Sequence, residues 1–532
     1  MARSDPRKPL PVKLHIGAEA RDSGSGGVFR HVNPHNGEVQ AEIPLAGVSE
    51  TTEAVESASR AFDDWRRRKP SERRDMLLRL GDLILARADE FGALVALENG
   101  TPISVATQMA NGARAWLSYY AGWADKLEGG VTGTFLQGRD FSYTLPEPFG
   151  VIGAIIPWNG PMNSLAMKAG PALAAGNTVV LKPSELTPFS AELFAQCVRE
   201  AGIPDGVCNI LPGAVEAGEA LVRHPKVEKI SFTGGPTAAR AILHNCAEVL
   251  KPALLELGGK SANIVFPDAD LDATATHATT LGLAILSGQG CAWPTRLLVH
   301  ADVYDDMVGR CVEKARGIAM GDPFDPAMVM GPVINVAAAD RILGVVERAA
   351  RDSDGRLVTG GQRAGGDLAR GAYVEPTIFA DVDPGSQLAQ REVFGPVLSI
   401  LKFRDEAEAI GIANATEYGL AAYVHSHDLD RVHRVAEELR AGGVFVNGAA
   451  LVEPDTPFGG LASAAMAARA ARSASRNISD PRLSRSRAAR TVDDDNRKIG
   501  EQYGKGIEGD RLRWPPDRAG GFVGKLHRPQ IS

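Results

Sequence analysis

The residues Val151-Ile152-Gly153-Ala154-Ile155-Ile156 form a short apolar run that ends at Pro157-Trp158-Asn159. A run of this length with a glycine inside it is typical of a buried strand. Two similar runs follow at Thr178 to Leu181 and Val227 to Phe232, and a helical stripe from Phe189 to Ala201 lies between them. Strand, helix and strand in this order predict a parallel α/β sheet.

Two helical patterns precede this sheet. Apolar residues between Val55 and Trp65 fall on one face of a helix that ends near Arg68. Those between Met76 and Leu94 predict a second helix, which is longer. The body of the chain continues to alternate helices and strands, so we assign it to the α/β class.

The composition limits the kind of protein this is. The chain has 532 residues, of which 44% are apolar and 23% charged, and a net charge of −7. These values predict a globular protein of about two to four domains and give no reason to expect nucleic acid or a membrane as partner. No apolar run reaches the roughly 18 residues of a membrane span. The stretch from Met1 to Pro6 lacks the apolar segment of a secretory signal, and we expect none.

Five cysteines occur, at Cys197, Cys208, Cys246, Cys291 and Cys311. An odd and sparse set without Cys-x-x-Cys spacing fits neither a disulfide framework nor a zinc site. We therefore expect a cytoplasmic protein without a metal. Any one of the five thiols could be a nucleophile, so the local sequence has to choose among them.

Ligands of parallel α/β sheets bind beyond the carboxyl ends of the strands. Six segments at strand ends and further along the chain contain residues able to do chemistry: Pro157-Trp158-Asn159-Gly160-Pro161, Lys182-Pro183-Ser184-Glu185, Thr233-Gly234-Gly235-Pro236, Leu254-Leu255-Glu256-Leu257-Gly258-Gly259-Lys260, Ser287-Gly288-Gln289-Gly290-Cys291 and Glu392-Val393-Phe394-Gly395-Pro396.

Each segment has an ordinary structural explanation when it is taken alone. A buried ion pair explains Glu256, and a core thiol explains Cys291. A solvated strand end explains Lys182, and a turn explains Asn159. A turn also explains Gly234-Gly235, since no Gly-x-Gly-x-x-Gly fingerprint occurs there.

Taken together and in this order, the segments resemble the NAD(P)-dependent aldehyde dehydrogenase superfamily. The resemblance runs from about Val28 to Gly460 and includes Arg296 and Pro457-Phe458-Gly459-Gly460. It implies an aldehyde-dehydrogenase-like α/β fold in which residues 1–137 and 149–259 form a Rossmann-type NAD-binding domain. Residues 260–460 would form an α/β catalytic domain. Residues 138–148 would form a small β-flap for oligomerisation, in which Phe141 to Leu145 alternates like an exposed strand.

The resemblance implies an NAD-dependent oxidation of an aldehyde to a carboxylic acid. Cys291 corresponds to the nucleophile, which forms a thiohemiacetal and then a thioester. The side-chain amide of Asn159 and the backbone N–H of Cys291 correspond to the donors that stabilise the oxyanion. Glu256 corresponds to the general base that activates water for hydrolysis of the thioester, and an apolar pocket would raise the pKa of such a carboxylate.

The resemblance also implies the cofactor contacts, which it assigns to Trp158, Lys182, Glu185, Gly234, Gly235, Leu257, Glu392 and Phe394. Lys182 and Glu185 correspond to the pair that binds the adenosine ribose. A carboxylate near the 2′ position repels a 2′-phosphate, so we expect NAD in preference to NADP. Gly234 and Gly235 would let a helix start approach the pyrophosphate. Many relatives have serine where this chain has Gly235, so this chain lacks that hydroxyl contact to the phosphate.

The substrate tunnel is expected to be wide and aliphatic. Gly160, Ile285 and Val452 fall at positions that line the tunnel in relatives, and relatives specialised for small aldehydes often carry an aromatic residue where Gly160 stands. We therefore expect medium-chain, long-chain, terpenoid or aryl aldehydes to be preferred over acetaldehyde. The alternative is that other residues fill the tunnel.

The chain departs from the family pattern after Gly460. Residues 461–532 contain 15 basic and 8 acidic residues, so a tail of net charge +7 follows a body of −14. Its Ala/Ser/Arg-rich start, Ala462 to Arg490, shows no clean period and predicts disorder or irregular coil. One permitted back-translation of Ala462 to Ala471, read in a shifted frame, encodes Lys-Arg-Ser-Asp-Gly-Arg-Glu-Gly-Gly, which is close to the family segment. We hypothesise a frameshift near codon 462, either a real one in the gene or a sequencing error.

Two further functions stay open. A coenzyme-A-acylating aldehyde dehydrogenase would share the chemistry, but relatives of that kind generally lack the base that Glu256 provides. An inactive, frameshifted family member is the other alternative. Family members assemble as homodimers or homotetramers through the flap and a C-terminal strand, so an altered C-terminus predicts impaired assembly or stability.

Overall fold

The computed structural model describes residues 5–127, 129, 131–132, 142–143, 146–448, 452–466 and 483–486 of the chain. Its strands are β1 (Leu14–Ile16), β2 (Glu19–Arg21), β3 (Val28–Val32), β4 (Val39–Pro44), β5 (Val131–Thr132), β6 (Ser142–Tyr143), β7 (Val151–Ile155), β8 (Thr178–Lys182), β9 (Cys208–Ile210), β10 (Val227–Thr233), β11 (Ala253–Glu256), β12 (Ala262–Val265), β13 (Arg296–His300), β14 (Arg356–Thr359), β15 (Thr377–Ala380), β16 (Val397–Phe403), β17 (Ala421–His425), β18 (Gly443–Val446), β19 (Ala465–Met466) and β20 (Leu483–Ser486).

The α-helices that the structure describes are α1 (Val48–Arg67), α2 (Pro70–Ala86), α3 (Ala88–Asn99), α4 (Ile103–Ala106), α5 (Met109–Ala121), α6 (Pro161–Ala174), α7 (Phe189–Glu200), α8 (Val215–Arg223), α9 (Pro236–Glu248), α10 (Leu271–Thr279), α11 (Tyr304–Arg316), α12 (Val336–Arg351), α13 (Gln387–Gln390), α14 (Glu406–Asn414) and α15 (Leu429–Glu438). No helix in the described part of the chain is both long and apolar enough to cross a membrane.

The first sheet has eight strands in the order β19-β11-β10-β7-β8-β9-β1-β2. Its five central strands, β11 to β9 in that order, are mutually parallel. The chain runs outward from β7 in both directions, so the strand order reverses beside β7. A reversal of this kind opens a crevice beyond the carboxyl ends of the strands, where ligands of α/β proteins bind.

The second sheet has the order β14-β15-β16-β13-β12-β17-β18-β20 and is parallel except for β14. Its strand order reverses beside β12, one of the two central strands, and β17 is the neighbour of β12 on one side. The expectation of a parallel α/β fold is confirmed. The three strands expected from the sequence are β7, β8 and β10, and the helix expected between the last two is α7.

The single long helix expected between Met76 and Leu94 is wrong, since the structure divides it into α2 and α3 at Arg87. This residue has φ −109° and ψ 23°, outside the helical region. At this bend the guanidinium of Arg87 donates hydrogen bonds to Glu90 on α3 and to Glu200 on α7. Helix α2 buries one stripe of side chains, whereas α3 is buried along its whole length from Phe91. The bend lets both helices bury their apolar residues, a gain that outweighs continued helix propensity.

Two short strands lie in and before the predicted flap. β5 and β6 pair antiparallel, with Val131 opposite Tyr143. Of the flap predicted at 138–148, residues 142–143 and 146–148 are described, and the remainder, including Phe141, Thr144 and Leu145, lies outside the described residues. Its role in oligomerisation stays a prediction.

Two segments of the tail belong to regular structure. A short 3-10 turn, Ala462–Ala464, leads into β19, which pairs antiparallel with β11. Strand β20 pairs parallel with β18. The expectation of irregular coil is wrong for these segments, because unpaired main-chain groups at the sheet edges bind an added strand whatever its side chains. Residues 467–482 and 487–532 lie outside the described residues.

Candidate active site

The loop that carries Cys291 is a strained connection. After α10 the chain makes a π-helical turn, and then Leu286, Ser287 and Gly288 follow with φ of 53°, 50° and 71°. Left-handed backbone is unfavourable for Leu286 and Ser287, and such strain clusters at functional sites. The Ser287 hydroxyl donates to the carbonyl of Gly331 at 2.7 Å, which helps to hold the loop in this conformation.

Asn159, which follows β7 of the first sheet, reaches this loop. Its Nδ2 donates to the carbonyl of Gln289 at 2.9 Å, two residues before Cys291. Gln289 is held in turn, because its Oε1 accepts the backbone N–H of Ile334 at 3.0 Å. The structure thus places the Asn159 amide against the loop that carries Cys291, at a residue two positions before it.

Burial raises the pKa of the Cys291 thiol to about 12, and the negative charges of Glu392 and Glu256 act in the same direction. The backbone N–H groups of Ala292 and Cys291 act the other way by favouring the thiolate. Burial also raises the pKa of Cys311 to about 12. The raised pKa therefore does not distinguish Cys291 from a core thiol. Its partial exposure, its two carboxylate neighbours and its two N–H donors do.

Glu256 ends β11 and is buried, with 3% of its surface exposed. The backbone around it is fixed from both sides. Its carbonyl accepts the N–H of Gly234 at 3.0 Å, and the next N–H, that of Leu257, donates to the carbonyl of Ala464 at 2.8 Å. The backbone of the candidate base is therefore held by the residue that follows β10 in the first sheet and by the first residues of the tail.

The glycines after Glu256 allow close contacts with the loops opposite. A Cβ at Gly258 would overlap the carboxylate of Glu392, and a Cβ at Gly259 would overlap the carbonyl of Cys291. Since even alanine meets these atoms, both positions require glycine for the observed packing. Glycine here lets the chain bring Glu392 and Cys291 to the end of β11.

Glu392 and Lys260 are two buried charged groups at this junction. Burial raises the pKa of Glu392 to about 7, against the effect of its hydrogen bond from Gly259 and of the positive charges of Lys260 and Arg341. Burial lowers the pKa of Lys260 to about 7, and the charge of Arg296 adds to this. Among the described residues, Nζ of Lys260 has no hydrogen-bond partner. Both groups titrate near neutral pH, as groups at functional sites often do.

Trp158 and Phe394 meet edge to face, with ring centroids 5.4 Å apart. Phe394 has φ 50°, another strained residue. The Trp158 carbonyl accepts a hydrogen bond from Nδ2 of Asn99 at 3.1 Å, which fixes the segment before Asn159. These two predicted cofactor residues thus lie against each other.

The remaining predicted cofactor residues lie on the two sides of β7. Lys182 ends β8, and its Nζ donates to the carbonyls of Gly213 and Pro183, the latter at 3.4 Å. Burial lowers the pKa of Lys182, and the charge of Glu185 opposes this. Gly234 and Gly235 follow β10.

The start of α9 suits a phosphate group. Gly235 is its N-terminal cap, and no side chain caps the helix. A Cβ at Gly235 would meet no atom within 4 Å, so the space beside the cap is open. Pro236 has no N–H, so the first N–H groups of α9 itself are those of Thr237 and Ala238. An uncapped helix N-terminus with open space is a ready anion site. These residues therefore fit the pyrophosphate of a dinucleotide.

Three residues of the site were not assigned a role from the sequence. Lys260 stood within a quoted segment, and its burial could not be read from one sequence. Gln289 lies two residues before the candidate nucleophile, and nothing in the sequence indicated that its carbonyl would bind Asn159. Tyr423 lies in β17, and no local signal marks it, because its partner Ala292 is 131 residues away.

The chain was compared with known proteins. A sequence profile of the aldehyde dehydrogenase family matches residues 21–480, which extends past Gly460, where the resemblance was expected to end. An aldehyde dehydrogenase of Aspergillus niger is 40% identical over 459 residues, which are 85% of this chain and 90% of that protein. A betaine aldehyde dehydrogenase of Cereibacter sphaeroides is 40% identical over 85% of this chain and 92% of its own length.

Solved structures agree with this. The crystal structure of a betaine aldehyde dehydrogenase of Staphylococcus aureus in complex with NAD+ superposes with a TM-score of 0.85 and 31% identity, covering 87% of this chain and 92% of that one. The profile match over residues 21–480 includes the segment that carries Cys291. This chain belongs to the aldehyde dehydrogenase family, and it is an oxidoreductase that acts on aldehydes.

Proposed function

We propose that this chain oxidises an aldehyde to a carboxylic acid with NAD as the oxidant, through a thioester at Cys291. The observation that carries the proposal is the 2.9 Å hydrogen bond from Asn159 Nδ2 to the carbonyl of Gln289. It places an amide donor two residues from the partly buried thiol of Cys291, so a carbonyl oxygen at the sulfur would have Asn159 within reach.

The first step uses the thiol and its donors. Since the pKa of Cys291 is raised to about 12, the resting group is a thiol, and its proton leaves as the sulfur attacks. The buried carboxylate of Glu256 is the proposed acceptor of that proton. The sulfur adds to the aldehyde carbon, and the oxyanion is held by the amide of Asn159 and the N–H of Cys291.

NAD, when bound, supplies the acceptor for the hydride that the tetrahedral carbon loses. On this chain the uncapped start of α9 at Gly235 would hold the pyrophosphate, and Lys182 with Glu185 would hold the adenosine ribose. Glu392 would hold the other ribose, beside Phe394. Trp158 and Leu257 would complete the contacts.

The last step releases the acid. Cys291 then carries the acyl group as a thioester. Glu256 first releases to solvent the proton that it took from Cys291. It then removes a proton from the attacking water, and the hydroxide adds to the thioester carbon. The C–S bond breaks, the carboxylic acid leaves, and the sulfur takes the proton from Glu256. A carboxylate with 3% exposure is suited to this because few waters compete for it.

Preference for NAD over NADP rests on Glu185. Its charge acts on the Lys182 ammonium, so the carboxylate lies near the end of β8. A 2′-phosphate at that place would meet a negative charge in a partly buried setting.

The substrate class rests on small side chains at the tunnel. A Cβ at Gly160 would meet no atom within 4 Å, which supports an open wall beside Asn159. Cys291 also shares an apolar cluster with Phe445 and Phe458. We infer a preference for medium-chain, long-chain, terpenoid or aryl aldehydes over acetaldehyde.

The test is NADH formation by the purified full chain with acetaldehyde, octanal, an aryl aldehyde and betaine aldehyde. Activity that is lost in Cys291→Ala supports the proposal, and a higher kcat/KM for acetaldehyde than for octanal and the aryl aldehyde contradicts the tunnel argument. Activity that requires coenzyme A would favour the acylating alternative. A folded chain that binds NAD but forms no NADH would favour the inactive, frameshifted alternative, and restoring the reading frame should then restore activity.

We also propose that the chain is cytoplasmic and assembles as a homodimer or homotetramer. The altered tail is expected to impair assembly, because the family's C-terminal strand is replaced. Light scattering of the purified chain measures this, and a stable tetramer would contradict the expected impairment.

A further inference from the structure

The loop around Cys291 is held at two carbonyls, one on each side of the sulfur. The carbonyl of Gln289 accepts from Asn159, as described above. The carbonyl of Ala292 accepts the hydroxyl of Tyr423 at 2.8 Å. One hydrogen bond from the loop after β7 and one from strand β17 thus fix residues before and after the thiol.

Tyr423 is itself rigidly placed. It lies on β17, near the middle of the second sheet, and its side chain is fully buried. Its ring packs against Phe445 at a centroid distance of 5.3 Å and against His277 at 5.4 Å. A ring held between two others cannot turn its hydroxyl away from Ala292 without disturbing both neighbours.

Tyr423 also lies close enough to the thiol to respond to its charge. Burial raises the pKa of Tyr423 well above 10, and a negative charge at Cys291 raises it further. The hydroxyl therefore stays a neutral donor. Ala292, which it holds, is one of the two residues whose N–H groups favour the thiolate.

We propose that Tyr423 is a positioning residue for the nucleophile: its hydroxyl holds the Ala292 carbonyl and thereby keeps the N–H groups of Ala292 and Cys291 directed at the sulfur. The inference rests on the proposed function, because it takes Cys291 as the nucleophile. Tyr423 does not touch the substrate and acts only through Ala292. The sheet strand thus controls the reactivity of a loop that is distant in sequence.

Few titratable groups face Tyr423. On α10 it faces His277, on the loop Cys291, and two residues further along its own strand is His425. The neighbouring strands present Asn263 and Phe445 in register with it. Burial lowers the pKa of His277 to about 4 and that of His425 to about 3. Both histidines are neutral where the thiol titrates, so a pH profile of thiol reactivity reports on Cys291.

The experiment is alkylation of Cys291 by iodoacetamide in the full chain, followed by mass spectrometry over a pH series. Tyr423→Phe removes only the hydroxyl. We expect the midpoint of the alkylation profile to move to higher pH and kcat to fall about tenfold, the size of one lost hydrogen bond, with KM for NAD unchanged.

Tyr373→Phe is the matched control. Tyr373 is fully buried, and its hydroxyl donates to the carbonyl of Gly321 at 2.7 Å, far along the chain from Cys291. This variant should leave the alkylation midpoint unchanged. An unchanged midpoint in Tyr423→Phe would overturn the inference, as would an equal shift in both variants.

A second change covers the case in which Tyr423→Phe does not fold. Fluorotyrosine incorporated at position 423 keeps the ring and strengthens the hydroxyl as a donor, so the midpoint should move to lower pH; a midpoint that does not move overturns the inference. Cys291→Ala separates this result from the proposed function. If Cys291→Ala still forms NADH, the proposed function fails, whereas an inactive Cys291→Ala with an unaltered Tyr423→Phe refutes only the role of Tyr423.

Discussion

The Glu392 carboxylate accepts the backbone N–H of Gly259 at 3.0 Å, directly beside the end of β11 that carries the proposed base Glu256. A group proposed to bind the cofactor and the group proposed to activate water are therefore linked through one short glycine segment. A change in that segment should alter cofactor binding before it alters the fold.

Gly258→Ala should weaken NAD binding. The added methyl group would overlap the Glu392 carboxylate, so the carboxylate has to move away from its observed place. We expect KM for NAD to rise about tenfold or more, the effect of losing a hydrogen bond to a charged group. Gly309→Ala on the exposed face of α11 is the control, since nothing lies within 4 Å of its added Cβ. Equal KM values for both variants would contradict the role of Glu392.

Gly235→Ser should strengthen NAD binding, whereas Gly234→Ser should lower the thermal stability of the protein. A side chain at Gly235 enters open space at the start of α9 and adds a hydroxyl donor for the pyrophosphate. A side chain at Gly234 would meet the ring of Phe232 at 2.5 Å. Isothermal titration with NAD measures the first effect and thermal unfolding the second. Weaker binding by Gly235→Ser would argue against a phosphate at this helix end.

Asn159→Ala should reduce kcat about 100- to 1000-fold, the usual effect of losing one oxyanion donor. The variant also leaves the carbonyl of Gln289 without its donor, so Asn159→Asp is needed as well: it keeps the shape but offers no amide hydrogen. Both variants should retain the KM for NAD. Asn111→Ala, exposed on α5, is the control. A loss of less than tenfold in both active-site variants would remove Asn159 from the mechanism.

His425→Phe should make the protein more resistant to acid. The folded protein holds the pKa of His425 at about 3 against an ordinary value of 6.5, so the unfolded chain binds a proton that the folded chain refuses. Protonation of His425 therefore does not lower the free energy of unfolding above pH 6.5. As the pH falls from 6.5 towards 3, the free energy of unfolding decreases by up to about 1.4 kcal/mol per pH unit for this one group. The acid unfolding midpoint of His425→Phe should lie below that of the natural chain. His427→Phe, exposed two residues later, should leave the midpoint in place.

Truncation should show which part of the tail the enzyme needs. A chain that ends after Met466 keeps β19 and the Ala464 carbonyl that binds Leu257, whereas a chain that ends after Gly460 loses both. Both truncations remove β20, so their difference reports on residues 461–466 alone. We expect the longer chain to form NADH at a higher rate. Equal rates would show that Glu256 does not depend on this segment.

The sequence was sufficient for the parts of the fold that local patterns determine. Short apolar runs predicted β7, β8 and β10, because a buried parallel strand is apolar on both faces. The division of α2 from α3 at Arg87 was not predictable, since it depends on partners such as Glu200 that lie more than a hundred residues away.

The candidate site was also only partly predictable from the sequence. The segments around Asn159, Glu256 and Cys291 were visible because each combines unusual residue types over a few positions. The contact of Tyr423 with Ala292 was not visible, because a tyrosine in an apolar strand looks like any core aromatic until the fold supplies its partner. A contact between a strand and a loop that are 131 residues apart depends on the tertiary fold, and no local sequence pattern predicts it.

The pairing of β19 with β11 is made by main-chain groups, at Leu255 opposite Met466 and Glu256 opposite Ala465. Main-chain groups are the same in nearly every residue, so this pairing tolerates almost any sequence that lacks proline at the bonding positions. The hypothesised frameshift near codon 462 would therefore still leave an edge strand beside the proposed base. The sequence after Gly460 can therefore differ from the family pattern while the proposed catalytic residues keep their positions.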